Sequence, residues 1–354
     1  MKIKQITNFL ESYAPLQYQE SYDNCGLIVG DAKSEVKGAL ITLDCTEAVI
    51  DEAIATGCNL VIAHHPIIFS GLKKLNGSNY IERTVIKAIK NNIAIYAIHT
   101  NLDNVHNGVN AKIAEKLGLI NCKVLALKSD LLRQLVVYCP IENSEALKIA
   151  LYENGAGAVG DYDKCSFTSV GKGSFRANEN CTPFVGEIGK QHTENEERIE
   201  VIYPKFKERA ILDAMQVAHP YQEVAHSIYV LENKHQLVGS GIIGELKTPV
   251  NTEVFLESLK TKMQTKCIRH TLIVKEKIQR VAVCGGSGSF LLNNAKAAKA
   301  DVFITADFKY HEFFDAENKL KERWGWIEKE EKVLYLLMVF GFYKQIKNLK
   351  KTSR

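Results

Sequence analysis

The sequence predicts an α/β protein: a two-lobed α/β body interrupted by an inserted ferredoxin-like α+β domain. Three observations carry this expectation. Apolar strand-like runs alternate with helical periods through residues 1–130. Such alternation, with continuously apolar strands, implies a parallel sheet covered by helices. The character changes over residues 131–235, where Gly155, Gly157, Gly160, Gly171, Gly173, Gly186 and Gly189 punctuate a β-α-β…β-α-β order, the ferredoxin-like arrangement. From residue 236 to 354 the α/β pattern returns, so the middle unit reads as an insertion.

In the first lobe Ile3, Ile6, Phe9 and Tyr13 share one helical face. Gly38–Leu43 is β-rich; Thr46 is placed to cap the following helix and Gly57 to end it. Leu60–Ala63 and Ile93–Ile98 read as buried strands, Tyr80–Lys90 as a helix, and Val109–Leu117 as a helix closed by Gly118. The insert reads as strand Gln134–Tyr138, helix Ser144–Asn154, strand Arg198–Tyr203, helix Lys207–Val217 and strand Ala225–Val230. In the second lobe Val254–Met263 and Phe290–Ala298 are helical, while Arg280–Cys284 and Asp301–Thr305 are strands.

Composition narrows the function classes. A chain of 354 residues, 46% hydrophobic and 24% charged, supports a sizeable core and excludes a mostly disordered or collagen-like protein. A net charge of +4 does not favour a nucleic-acid partner. The longest apolar run, Val333–Tyr343, is far shorter than the roughly 20 residues of a membrane-crossing helix. The first residues, MKIKQITNFLESY, read as an amphipathic helix and not as a signal peptide. The 9 cysteines include no C-x-x-C pair, which excludes a zinc ribbon and makes a reduced, cytoplasmic setting the expectation.

Ala63-His64-His65-Pro66 is the strongest chemical signal. Adjacent side chains of a strand face opposite ways, so two neighbouring histidines serve one site only where the strand ends and the chain turns. Pro66 enforces that end, and ligand sites of open parallel sheets lie at the carboxyl ends of strands. His99-Thr100-Asn101-Leu102-Asp103 closes a second buried strand, so His99 and Asp103 are positioned to complete a cluster with His64 and His65. Imidazole with carboxylate suits Zn²⁺, Fe, Mn²⁺ or Ni²⁺. Exposed loop histidines and an ordinary turn aspartate remain the alternative reading. Asp23 and Asn24 precede a short apolar strand, either to orient a ligand or to form a turn. Gly239–Gly244 fits G-x-G-x-x-G but lacks the following helix, so a tight chain re-entry is favoured over dinucleotide binding. Cys284–Ser289 is a glycine loop suited to a plain turn or to an anion. Asp307 and His311 share a face if that stretch is helical.

Together these motifs resemble the GTP cyclohydrolase I type 2 homologue family, the NGG-interacting-factor-three-like proteins, over residues 1 to about 319. The shared features are Asp23-Asn24-Gly26, the AHHP at 63–66, the HTNLD at 99–103, the G-x-G-x-x-G-E-L at 239–246, the CGGSG at 284–288 and Asp307–His311. The middle unit resembles the family's PII-like and CutA-like insert, including His219-Pro220-Tyr221-Gln222-Glu223. The resemblance implies a dinuclear centre of two divalent metal ions in a toroidal homo-hexamer. It implies His64, His65 and a bridging Asp103 as ligands, with Asp23, Asn24, His99, Asp307 and His311 lining the site. One departure stands out. The family's last two ligands come from a Gly-His-Tyr-x-x-Glu motif shortly after the position of Lys319, and no histidine follows His311 here. A shifted reading frame or a true replacement explains this; Glu328, Glu330 and Glu331 are the acidic groups nearby.

Two functions follow as expectations. One is a metal-dependent hydrolase, GTP-cyclohydrolase-like or acting on phosphoesters, weakened by the missing ligands. The other is a non-enzymatic metal-handling or effector-binding regulatory scaffold, with a small molecule as partner. Nucleic-acid binding is disfavoured by charge.

Overall fold

The computed structural model describes residues 1–309, Glu312 and the strand Leu334–Leu337. The chain forms two compact units, one from Met1–Leu127 with the chain from Leu237 onward, the other from Lys128–Gln236.

The first unit begins with α1 (Ile3–Tyr13), β1 (Gly26–Val29), β2 (Ala39–Thr42), α2 (Glu47–Ala55), β3 (Leu60–Ala63), α3 (Tyr80–Lys90) and β4 (Ala94–Ala97). The four strands form one sheet in the order β1-β4-β3-β2. β2, β3 and β4 are parallel, as expected, but β1 runs antiparallel to β4. An antiparallel edge strand on an otherwise parallel sheet is common. Its consequence here is positional: Gly26, the first residue of β1, pairs with Ala97, the last of β4. The chain just before β1 therefore lies at the edge where β2, β3 and β4 end.

Both faces of this sheet are covered. Ile50 and Ala53 of α2 and Val85 and Ala88 of α3 pack on Val61, Ala63 and Ile95. Ile3 of α1, with Ile6 and Leu10, packs on Leu60, Ala94 and Tyr96. Burial on two faces explains why the strands read as unbroken apolar runs. Thr46 caps α2 by accepting from Val49 N, and Gly118 closes α5 (Val109–Leu117) in the left-handed region. Between them, α4 (Thr100–Asp103) is a single turn following β4. Next, β5 (Ile120–Leu127) leaves the first sheet altogether.

The second unit contains β6 (Leu132–Pro140), α6 (Ile141–Glu153), β7 (Phe167–Arg176), β8 (Gln191–Pro204), α7 (Glu208–Ala218) and β9 (His226–Leu231). Its strands form an antiparallel sheet in the order β7-β8-β6-β9. This is the α+β order expected from the sequence. Leu135, Val137, Ile199 and Val201 face Leu147 and Leu151 of α6 and Ile211 and Met215 of α7. The sequence pattern does not mark β7, because it pairs along its whole length with β8 but is exposed at most positions.

The first unit then resumes with β10 (Gly239–Asn251), α8 (Thr252–Met263), β11 (Arg269–His270), β12 (Lys277–Ser287), α9 (Leu292–Ala297), β13 (Val302–Ala306) and β14 (Leu334–Leu337). The sheet order is β11-β14-β13-β12-β10-β5. β12, β13 and β14 are parallel, and β10 runs antiparallel to both β12 and β5. The first lobe thus supplies an edge strand to the second lobe's sheet. The G-x-G-x-x-G stretch is not a nucleotide loop: the chain re-enters the first unit there and starts β10, with Ile242 paired to Val124 and Val283. Gly241 sits there at φ +67, where a Cβ would come within 3.0 Å of the Val283 carbonyl oxygen. No helix among the described residues is long and apolar enough to cross a membrane.

Candidate metal centre

Three adjacent parallel strands end at one edge, and each delivers a polar group there. Asp44 follows β2, His64 and His65 follow β3, and His99 follows β4. The chain past β3 stays pinned to its neighbour: His64 N donates to Thr42 O at 3.1 Å and His65 N to Leu43 O at 2.9 Å. The turn at Pro66 brings both imidazoles to one side, their ring centroids 5.0 Å apart. His99 stands 5.2 Å from each of them, edge-on. One ring nitrogen from each of His64, His65 and His99 lies within 4.8 Å of the other two.

The hydrogen bonds decide which nitrogen is available. His64 Nδ1 meets the Ile98 carbonyl oxygen at 2.8 Å, His65 Nδ1 meets Asp44 Oδ1 at 2.8 Å, and His99 Nδ1 meets Asp23 Oδ1 at 2.9 Å. All three partners are protein oxygens, so each Nδ1 is the donor and each Nε2 is the nitrogen left to face a cation. The cluster is a set of three imidazole donors with their tautomers fixed from behind. This fits a borderline divalent cation.

Asp23 is the most heavily used group behind the cluster. Its side chain is 0% exposed. It accepts from His99 Nδ1, from Thr100 N at 3.0 Å, from the Thr100 hydroxyl, from Asn24 N at 2.8 Å and from Cys25 Sγ at 3.1 Å. Burial pushes its carboxyl up, but the bonds from His99, Thr100 and Cys25 and the charge of His99 outweigh that and hold it below the usual carboxylate range. Asn24 donates through Nδ2 to Ile68 O at 2.7 Å, fixing the loop after Pro66.

Asp103 sits one helical turn beyond His99, its amide donating to His99 O at 3.1 Å. Its Oδ1 lies 3.9 Å from His64 Nε2. Burial raises this carboxyl to about 7 even though His99 pulls it down; Asp23 and Glu20 add repulsion. Burial, with the neighbouring His99 and His65, lowers His64 to about 4. A neutral imidazole facing a carboxylate that ionises with difficulty is the electrostatic setting a cation would relieve.

The sequence reading left several contributors unassigned. Asp44 closes β2 just as His64 closes β3, but a lone aspartate after a strand carries no second signal. Thr100 and Cys25 act through Asp23. Asn110 joins the two sheets of the unit, donating to Asp103 O at 3.0 Å and accepting from Gly285 N at 2.7 Å. That bond brings the CGGSG stretch to the site. Burial and the nearby Asp103 push the Cys284 thiol up to about 12, which keeps it protonated. Phe69 meets His99 edge-on at 5.6 Å.

Asp307 does not begin a helix; it is exposed, in the left-handed region at φ +50, directly after β13. Among the described residues no hydrogen bond or ion pair joins it to the histidines. His311, Glu328, Glu330 and Glu331 lie outside the described residues.

Comparison with known proteins agrees with the motifs. The model of Duf34/NIF3 (NGG1p interacting factor 3) matches residues 1–321, leaving 322–354 outside the match. The GTP cyclohydrolase 1 type 2 homolog of Bacillus subtilis is 39% identical over 314 residues, 88% of this chain and 84% of that protein. The protein of the same name from Halalkalibacterium halodurans is 36% identical over 312 residues, covering 88% and 84%. Among solved structures, a Bacillus cereus protein related to NIF3 superposes with a TM-score of 0.80 at 37% identity, covering 95% of this chain and 87% of that one. Staphylococcus aureus protein SA1388 gives a TM-score of 0.70 at 30% identity, covering 95% and 86%. HcgD from Methanocaldococcus jannaschii, at 20% identity and a TM-score of 0.53, shares the fold. On these matches and on the motifs that line the strand edge, the chain belongs to the Duf34/NIF3 family.

Proposed function

We propose that the chain is a metal-dependent hydrolase of the family's dinuclear type, in which His64, His65 and Asp103 would hold the divalent cations and His99 would line the site. The observation that carries this reading is the common orientation of the three imidazoles, each with Nδ1 bonded to a protein oxygen and Nε2 free. A bound divalent cation would supply Lewis acidity to a water or a substrate oxygen at this edge. The chain's own contribution is positional. Asp23 and Asp44 keep His99 and His65 in the donor tautomer, and Asn110 and Asn24 hold the loops that bear Asp103 and follow Pro66.

The absent Gly-His-Tyr-x-x-Glu motif lowers the expected metal affinity of this sequence, and its activity with it, because two ligands of the family site have no counterpart after His311. Metal identity among Zn, Fe, Mn and Ni and a homo-hexameric assembly belong to the same proposal, as does a cytoplasmic setting, which the free state of all the cysteines supports. The test is turnover of GTP and of a phosphoester by protein loaded in turn with each metal. Weak hydrolysis that chelation and His64→Ala both remove supports the proposal. Hydrolysis indifferent to both, or none with any metal, contradicts it.

A further inference from the structure

The second unit carries a cavity that the metal centre does not use. It measures about 560 Å³ and lies on the face of the sheet opposite α6 and α7. That size is in the range of small-molecule sites. Its floor is made by β7 and β8, where Gly171 pairs with Glu196 and Gly173 with Glu194. Residues two apart share a face, so the Glu196 carboxylate lies over Gly173 while the space over Gly171 stays open. A Cβ on Gly173 would come within 2.1 Å of the Glu196 carboxylate, whereas one on Gly171 would meet nothing within 4 Å. Glycine weakens a strand interior and marks places where something else approaches closely.

The walls are aromatic. Tyr221 packs against Phe175 at 5.7 Å and Phe184 at 6.3 Å between ring centroids, and Phe184 is 57% exposed. Glu196 is only 8% exposed and makes no ion pair among the described residues. Arg198, its neighbour on this face, is engaged by Glu200. The groups electrostatically felt by or feeling Glu196 are Tyr221, His219 and Cys139. His219 is held neutral, since its Nε2 donates to Tyr138 O at 2.8 Å and its Nδ1 accepts from Tyr221 N at 3.0 Å. The Tyr221 hydroxyl is buried and makes no hydrogen bond of normal geometry. Burial and the facing Glu196 carboxylate together push the Tyr221 phenol up, and beside that phenol the carboxylate keeps further acceptor sites for a ligand.

We infer that this cavity binds a flat heterocycle presenting a paired N–H edge of the guanine or pterin kind, stacked among Phe175, Phe184 and Tyr221 with its N–H groups on Glu196. A carboxylate accepts two parallel N–H bonds from such an edge, and the open space over Gly171 leaves room for the ring. The inference is independent of the metal reading.

Guanosine is the probe, titrated calorimetrically into the full chain with chelator present, so that the metal centre takes no part. Saturable binding is expected, with adenosine, which lacks the paired donors, at least 10-fold weaker. Glu196→Gln should weaken guanosine binding by about 10- to 100-fold, the range for losing a charge-assisted hydrogen bond. Gly171→Val fills the hollow from an edge strand where a Cβ meets open space, so it should abolish binding without changing the circular dichroism or the melting temperature. Absence of guanosine binding at millimolar concentration overturns the inference. So does equal binding of adenosine, or unchanged binding in folded Gly171→Val. If Gly171→Val instead dissolves a self-association seen by light scattering and guanosine does not bind, a second copy of the chain fills the groove and the inference is wrong.

Discussion

Asp23 and His99 are 76 residues apart in the chain and meet at 2.9 Å, the carboxylate completely buried and the imidazole turned by it toward His64 and His65. The pairing is a consequence of topology. Because β1 runs against β4, the residue three before β1 reaches the residue two beyond β4. Replacing Asp23 by Asn leaves fewer acceptors for five donors and removes the group that fixes the His99 tautomer. Asp23→Asn should therefore lower the melting temperature clearly and weaken metal binding by about 10- to 100-fold. The sign of its pH dependence is fixed as well. A carboxylate whose folded pKa is depressed stabilises the protein above its unfolded value of about 4 and loses that effect only as pH falls through the folded value. Acid melts of the wild type and the variant should converge only well below pH 4.

Asp44 provides the contrasting case. It holds His65 at 2.8 Å, but its side chain is 56% exposed. Asp44→Ala should leave the melting temperature within about 1 °C, as exposed pairs contribute little, while reducing metal affinity by about 10-fold through a loosened imidazole. Competition against a chelator measures the affinity and a thermal scan the stability. A large loss of stability without a change in affinity would make Asp44 a structural group.

Asp103 predicts a pH-dependent affinity. Its carboxyl, raised to about 7 in the metal-free protein, must ionise to hold a cation. Affinity should fall as pH drops below 7, with about one proton released per cation bound near pH 6. Calorimetry in buffers of different ionisation enthalpy counts that proton. For the metal-free fold the sign is opposite to that of Asp23. A raised carboxyl favours the folded state at low pH, and this advantage is lost as pH rises from about 4 to 7. Metal-free Asp103→Asn should accordingly melt higher than metal-free wild type at pH 8.

The inserted unit should be removable. Leu127 at the end of β5 pairs with Gly239 at the start of β10, so the chain leaves and returns at adjoining positions of one antiparallel ladder. Replacing residues 128–236 by a short linker joins β5 directly to β10 and keeps Leu237 and Val238, which pair with His106 and Val105. The shortened chain should fold and keep the metal affinity of the full chain, as checked by circular dichroism and chelator competition. Loss of metal binding in a folded product would show that the centre depends on the insert.

The sequence discloses most of the elements but only part of their arrangement. α3, β3 and α5 occupy the expected ranges because caps and apolar runs are local signals: Thr46 and Gly118 act where they stand. His64, His65 and His99 are legible because each ends an apolar run, and the carboxyl ends of neighbouring parallel strands must meet. β5, β7 and β10 escape such reading for different reasons. β5 and β10 owe their place to a partner strand more than 100 residues away, and the glycines of β10 imitate a phosphate loop. β7 has no apolar stripe because its open face borders a cavity. Asp44 and Asn110 are ordinary loop and helix residues until the tertiary structure gives each a histidine loop or a glycine amide to hold.

The central claim is that three imidazole Nε2 atoms converge to hold a divalent cation. Metal analysis of the purified, dialysed chain beside His64→Ala tests it most directly. The account predicts at least one tightly held divalent cation per wild-type chain, and its loss in a His64→Ala protein that remains folded. Wild-type protein free of metal after loading with Zn²⁺, Fe²⁺, Mn²⁺ and Ni²⁺ in turn, or a His64→Ala protein that keeps the same cation with undiminished affinity, would contradict it.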